Sequence, residues 1–106
     1  MKKSKSIVTK YDKNCFFCGK PCYTEHHLLF GSGMRKLAEE DGIKVPACDS
    51  CHTMGSLINR VHDNPMAEKL SKISGQLAWE KHYIAQGHTE DEARELFRKR
   101  YGVSFL

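Results

Sequence analysis

The sequence predicts a small α+β domain, a cysteine-stapled core of two short strands and a short helix, followed by two longer helices. Three observations predict it. Two Cys-x-x-Cys pairs, Cys15 with Cys18 and Cys48 with Cys51, bracket the stretches that have strand character. After Asn64 the apolar residues recur at helical spacing instead. A chain of 106 residues is one domain by length, and one this small hides only about two-thirds of its unfolded surface, so a staple would help its thin core.

Residues 1–14 are polar and basic with few apolar anchors, and are expected to form a flexible arm. Residues 15–63 are the core. Within it Glu25 to Phe30 and Ile43 to Ala47 read as strands. Gly-Ser-Gly at 31–33 opens a loop, and Met34 to Asp41 forms a short helix that Gly42 ends. Residues 64–106 are a helical extension packed on that core. Asn64 followed by Pro65 supplies an N-cap and a first helical residue. Met66, Leu70, Ile73, Leu77 and Ile84 then share one face, and the helix should stop near Gly87. Trp79 and Tyr83 are expected to serve the core rather than to stack on a ligand. A last helix starts at Thr89, where Thr-Glu-Asp-Glu is a capping box, and ends at Gly102.

Charge excludes little. Seventeen Lys and Arg against thirteen Asp and Glu give a formal charge of +4, which permits a polyanionic partner. No run is apolar enough to cross a membrane, and the basic start lacks the apolar stretch of a secretory signal. The expectation is a cytoplasmic protein with no membrane partner, and in that compartment paired cysteines point to metal rather than to disulfides.

Two residues between thiols let one turn aim both sulfurs at a single ion, and two such turns complete the thiolate tetrahedron of a closed structural zinc site. Cys15, Cys18, Cys48 and Cys51 are therefore the expected ligands of structural Zn2+. Cys22 could replace Cys18, but reads as a plain thiol. Cys48-Asp-Ser-Cys51-His52 also fits the c-type haem attachment pattern. The absence of an export signal and the presence of a second knuckle argue for zinc.

Of six histidines, four are arranged. His26 and His27 are adjacent at the head of a strand, so their side chains point to opposite faces. One can bind a metal while the other stays free to take a proton. His52 directly follows the last knuckle cysteine, and His62 lies just before the long helix. Imidazole titrates in the range a general base needs, and also ligates divalent metals. His82 and His88 read as surface residues. Arg35 and Lys36, after the Gly-Ser-Gly loop, would suit contact with nucleic-acid phosphates.

Cys-x-x-Cys, then Glu-His-His-Leu, then Val-Pro-Ala-Cys-x-x-Cys-His resembles the HNH endonuclease pattern. The resemblance implies a zinc-stapled ββα-metal core of the HNH (His-Me finger) type that cuts DNA. It implies His27 as general base, His26 and His52 as ligands of a catalytic divalent metal (Mg2+, Mn2+ or Zn2+), and His62 as a further ligand. Gly-Ile-Lys-Val-Pro-Ala-Cys, Val-His-Asp-Asn-Pro, Gly-Gln-Leu-Ala-Trp-Glu-Lys and the C-terminal Phe-Arg-Lys-Arg-Tyr-Gly-Val-Ser-Phe-Leu look like the phage recombination-enhancement nucleases. That likeness implies a phage or prophage origin and a RecA-type recombinase filament as partner. It also implies 5′-phosphate and 3′-hydroxyl products.

The chain departs from the pattern at the middle asparagine, whose position is taken by Ile43, with Asp41 and Gly42 nearby. Asn59 and Asn64 are the candidate substitutes. The competing reading is a non-catalytic zinc-knuckle module that binds nucleic acid or protein, which would leave His26, His27 and His52 without a task.

Overall fold

A computed structural model describes residues 5–31, 33–56 and 60–106. In chain order they form strand β1 (Glu25–His27), helix α1 (Met34–Asp41), strand β2 (Lys44–Pro46), a wide π-helical turn (Ser50–Met54), and helices α2 (Pro65–Ala85) and α3 (Glu90–Tyr101). The molecule is thus a small α+β domain. No helix among the described residues is long and apolar enough to cross a membrane.

The strands are antiparallel, pairing Glu25 with Pro46, His26 with Val45 and His27 with Lys44. Both are shorter than the sequence suggests. Pairing persists one bond further, from the Leu28 amide to the Ile43 carbonyl (3.1 Å). The chain then turns at Gly31, where φ is +83°, a conformation that suits glycine. Leu28 and Leu29 leave the sheet for the core, where they join Ala38, Ile43, Val45, Trp79, Phe97 and Tyr101.

The helix ends follow their local signals. Asn64 accepts from the Ala67 amide and caps α2. Thr89 and Glu92 exchange both bonds of a capping box at α3. Gly42 ends α1 in the left-handed conformation, and its carbonyl receives the Ile7 amide at 2.9 Å. That bond ties Ile7 to the end of α1, and the Ser6 hydroxyl also donates to the Lys44 carbonyl (2.5 Å), while residues 10–14 are exposed.

The face of α2 is a second correction. The stripe of Met66, Leu70, Leu77 and Ile84 is exposed. The inward face is Ser71, Gly75, Gln76, Trp79 and Glu80. Close approach explains it. A Cβ on Gly75 would stand 2.9 Å from Leu29, 3.0 Å from Leu28 and 3.1 Å from Ile43, so only a side chain of hydrogen lets α2 lie this near the sheet. Trp79 fills the core beside it and donates to Asp41 (3.0 Å), which also receives Tyr101 and Arg100. Glu80 pairs with Arg94 at 2.8 Å and ties α2 to α3.

Candidate metal centre and the cleft beside it

The sheet register divides the two neighbouring histidines. His26 lies on the same face as Val45, and is buried. His27 shares the other face with Lys44, its cross-strand partner. The two histidines meet different sets of groups, with His52 common to both.

On the first face, His26 comes together with His52 and His62, and one ligand atom from each lies within 4.8 Å of the others. Local structure brings them there. The π-helical turn that follows Cys48 carries His52, whose amide donates to the Cys48 carbonyl (3.0 Å). The chain returns so that the His62 amide donates to the His52 carbonyl (3.1 Å), and the two Nε2 atoms stand 2.9 Å apart. Phe30 covers the rings of His26 and His62 from one side. Burial holds the His26 imidazole well below the usual histidine range, at about 3, and the neighbouring His52, His62 and His27 push the same way. Burial, then His62, also lowers His52.

The His26 ring shows a donor waiting for a cation. Its Nε2 lies 2.8 Å from the Ser71 hydroxyl, and that hydroxyl gives its own hydrogen to the Leu28 carbonyl (2.9 Å). Ser71 must then accept from His26, so the ring's hydrogen is on Nε2 and its lone pair on Nδ1. Nδ1 is the one buried side-chain N or O atom among the described residues that lacks a partner. A buried unsatisfied acceptor is costly, and a divalent ion would relieve it. Three neutral imidazoles are a set that such ions accept.

The second cluster is Cys15, Cys18, Cys48 and Cys51, whose sulfurs also lie within 4.8 Å of one another. Cys18 and Cys48 are 3.6 Å apart. Sulfurs at 2.3 Å on a tetrahedral ion stand about 3.8 Å apart, so the spacing fits. Burial raises the Cys15 thiol, but amide hydrogens of Cys48, Cys18 and Phe17 outweigh it and bring it to about 6. Burial and the neighbouring sulfurs push Cys51 well up instead. One thiolate forms readily and the next is opposed, so a full set of four needs a cation. Cys22 is buried alongside, its thiol raised by burial and by the nearby Cys15, Cys48 and Cys18.

On the other face of the sheet, His27 lines an open cleft of about 400 Å³ together with Tyr23, Thr24, Glu25, Arg35, Glu39, Asp49 and His52. Its Nε2 is 2.9 Å from Glu39 Oε1, and Glu39 Oε2 takes the Lys44 ammonium at 2.7 Å. Lys44 is itself almost fully buried and also meets Glu25 at 3.5 Å. Hydrogen bonds from Lys44 and His27 hold the Glu39 carboxyl at about 2.

Arg35 stands at the cleft, whereas Lys36, the next residue round the helix, is exposed and does not line it. Of the residues weighed for the missing asparagine, Asp41 is committed to Trp79, Tyr101 and Arg100, Ile43 is in the core, and Asn64 caps α2. Asn59 is outside the described residues. A larger groove, about 460 Å³, runs between α2 and α3 past Trp79, Tyr83 and Lys99, but it contains none of the histidines of these clusters.

The sequence reading missed Ser71, Glu39 and Lys44. Ser71 and Gly75, small residues four apart on a helix, signal close approach to a neighbour. Glu39 is four residues after Arg35 and so shares its side of α1. Lys44 gave no sign, since an isolated lysine in a short strand reads as exposed. Comparison with family models, curated proteins and solved structures finds no match to this chain.

Proposed function

We propose that the protein is a metal-dependent endonuclease that hydrolyses DNA phosphodiester bonds, with His27 as general base and an HNH-type ββα-metal core. The observation that carries the reading is the pairing of two histidine environments across one strand. A three-imidazole cluster, with His26 buried and His52 and His62 half-buried, lies on one side, and the largely buried His27 lines a cleft with Arg35 on the other. Neutral His27 would take a proton from a water molecule in the cleft as that water attacks phosphorus. Arg35 would face the phosphate and fix the strand. A divalent cation (Mg2+, Mn2+ or Zn2+) on His26, His52 and His62 would supply positive charge against the charge that builds on the phosphate. Zinc on the four cysteines would be structural and hold the turn that carries His52.

DNA is the expected substrate because the chain carries a formal charge of +4 and Arg35 stands among the residues that line the cleft. Affinity should therefore fall with salt, by a log–log slope of about −0.9 for each phosphate neutralised. The resemblance stated above adds a phage or prophage setting and a recombinase filament as partner.

Cleavage of circular single-stranded and supercoiled DNA tests this, with Mg2+ or Mn2+, with and without a recombinase filament. The wild type should cut and His27→Ala should not. Equal cutting by both would overturn the assignment of His27. Binding without cutting in every arm would favour the zinc-knuckle binding module.

A further inference from the structure

We infer that Glu39 is the positioning residue of His27, fixing the ring so that Nδ1 presents its lone pair to the cleft, with Lys44 holding Glu39 ionised for the task. The inference rests on the reading of His27 as base. An ionised carboxylate can only accept, so the hydrogen shared at 2.9 Å belongs to His27 Nε2. In the neutral ring the lone pair is then on Nδ1, which has no hydrogen-bond partner among the described residues. The opposite tautomer would set a lone pair against Glu39 and leave a hydrogen where a base needs none.

Lys44 makes the device robust. It is 2% exposed and directly opposite His27 in the sheet, and it occupies the second carboxylate oxygen at 2.7 Å. Two fixed donors thus share the two oxygens of one carboxylate, so Glu39 can neither rotate away nor readily take a proton. The same negative charge would offset the positive charge that the ring acquires with water's hydrogen.

The test uses the full-length, zinc-loaded protein with nitrogen-15-labelled histidine. In the wild type, His27 should read as the Nε2–H tautomer. Glu39→Ala should mix the tautomers and lower kcat by about 10- to 100-fold, the usual effect of losing such a partner, with KM for DNA little changed. Glu39→Gln keeps an accepting oxygen and the side-chain shape, so it should retain the tautomer and recover part of the rate. A role confined to pairing Lys44 would move stability alone, leaving tautomer and kcat as in the wild type, and would overturn the inference. So would a wild-type His27 with its hydrogen on Nδ1. If His27→Ala cuts at the wild-type rate while the Nε2–H tautomer is intact, the reading of His27 as base fails instead, and the bond to Glu39 is structural.

Discussion

Ser71 and Glu39 each touch one histidine, and their substitution should have separable effects. Ser71→Ala strands the His26 Nε2 hydrogen and one bond to the Leu28 carbonyl. We expect a loss of about 1–3 kcal/mol in stability, the cost of a buried group left unpaired. Affinity at the histidine cluster should fall about 10- to 100-fold, with the cysteine cluster unaffected. Competitive metal titration distinguishes the two. Glu39 should show in acid. Its carboxyl is held at about 2 instead of 4.5 by Lys44 and His27, so the unfolded chain takes up the proton first as pH falls. The stabilisation is complete above pH 4.5 and is lost on going down toward 2. Lys44 and His27 are the charged or titratable groups that pair with it, and Glu25 meets Lys44 in turn. Denaturant unfolding of wild type and Glu39→Gln, stepped through that range, should give curves that differ at neutral pH and converge by pH 2. A gap that persists there would rule the account out.

At the scale of elements, α2 inverts the usual relation between apolar pattern and burial. Leu77 is 52% exposed, whereas Gly75 lies against Leu28, Leu29 and Ile43. Leu77→Ala should therefore alter stability by less than about 0.5 kcal/mol, and Gly75→Ala should destabilise by about 1–3 kcal/mol through overpacking. Equilibrium unfolding of both decides it. Helical periodicity tells which residues share a face, not which face turns inward, and here Gly75 and Trp79 decide the matter. The helix ends were legible because Asn64, Pro65 and the Thr89–Glu92 box act within one turn. The strands were legible in place but not in length, since the exit of Leu28 and Leu29 into the core depends on α2.

At the scale of the molecule, there are two clusters of ligating residues, and only one could be assembled from spacing. Four cysteines in matched pairs announce their geometry. The histidine triad depends on a loop closure between His52 and His62 and on a strand register, both of them tertiary facts. The cysteine cluster bridges chain before β1 to chain after β2, around a core of few large side chains. Removing its metal with a chelator, or introducing Cys48→Ser, should abolish cooperative thermal unfolding rather than merely shift it. An intact transition in the fully demetallated protein would show that the core stands without its staple.

The hydrogen bond from His26 to Ser71 has a reach that a count of ligands would overlook. Every cysteine and histidine of the two clusters precedes Asn64, so a transcript cut short after that codon would still encode each of them. Its product would lack the hydroxyl that keeps one imidazole facing inward. It would lack Trp79, Phe97 and Tyr101 of the core as well, so Ser71→Ala in the full chain is what separates the hydroxyl's part from that of the helices.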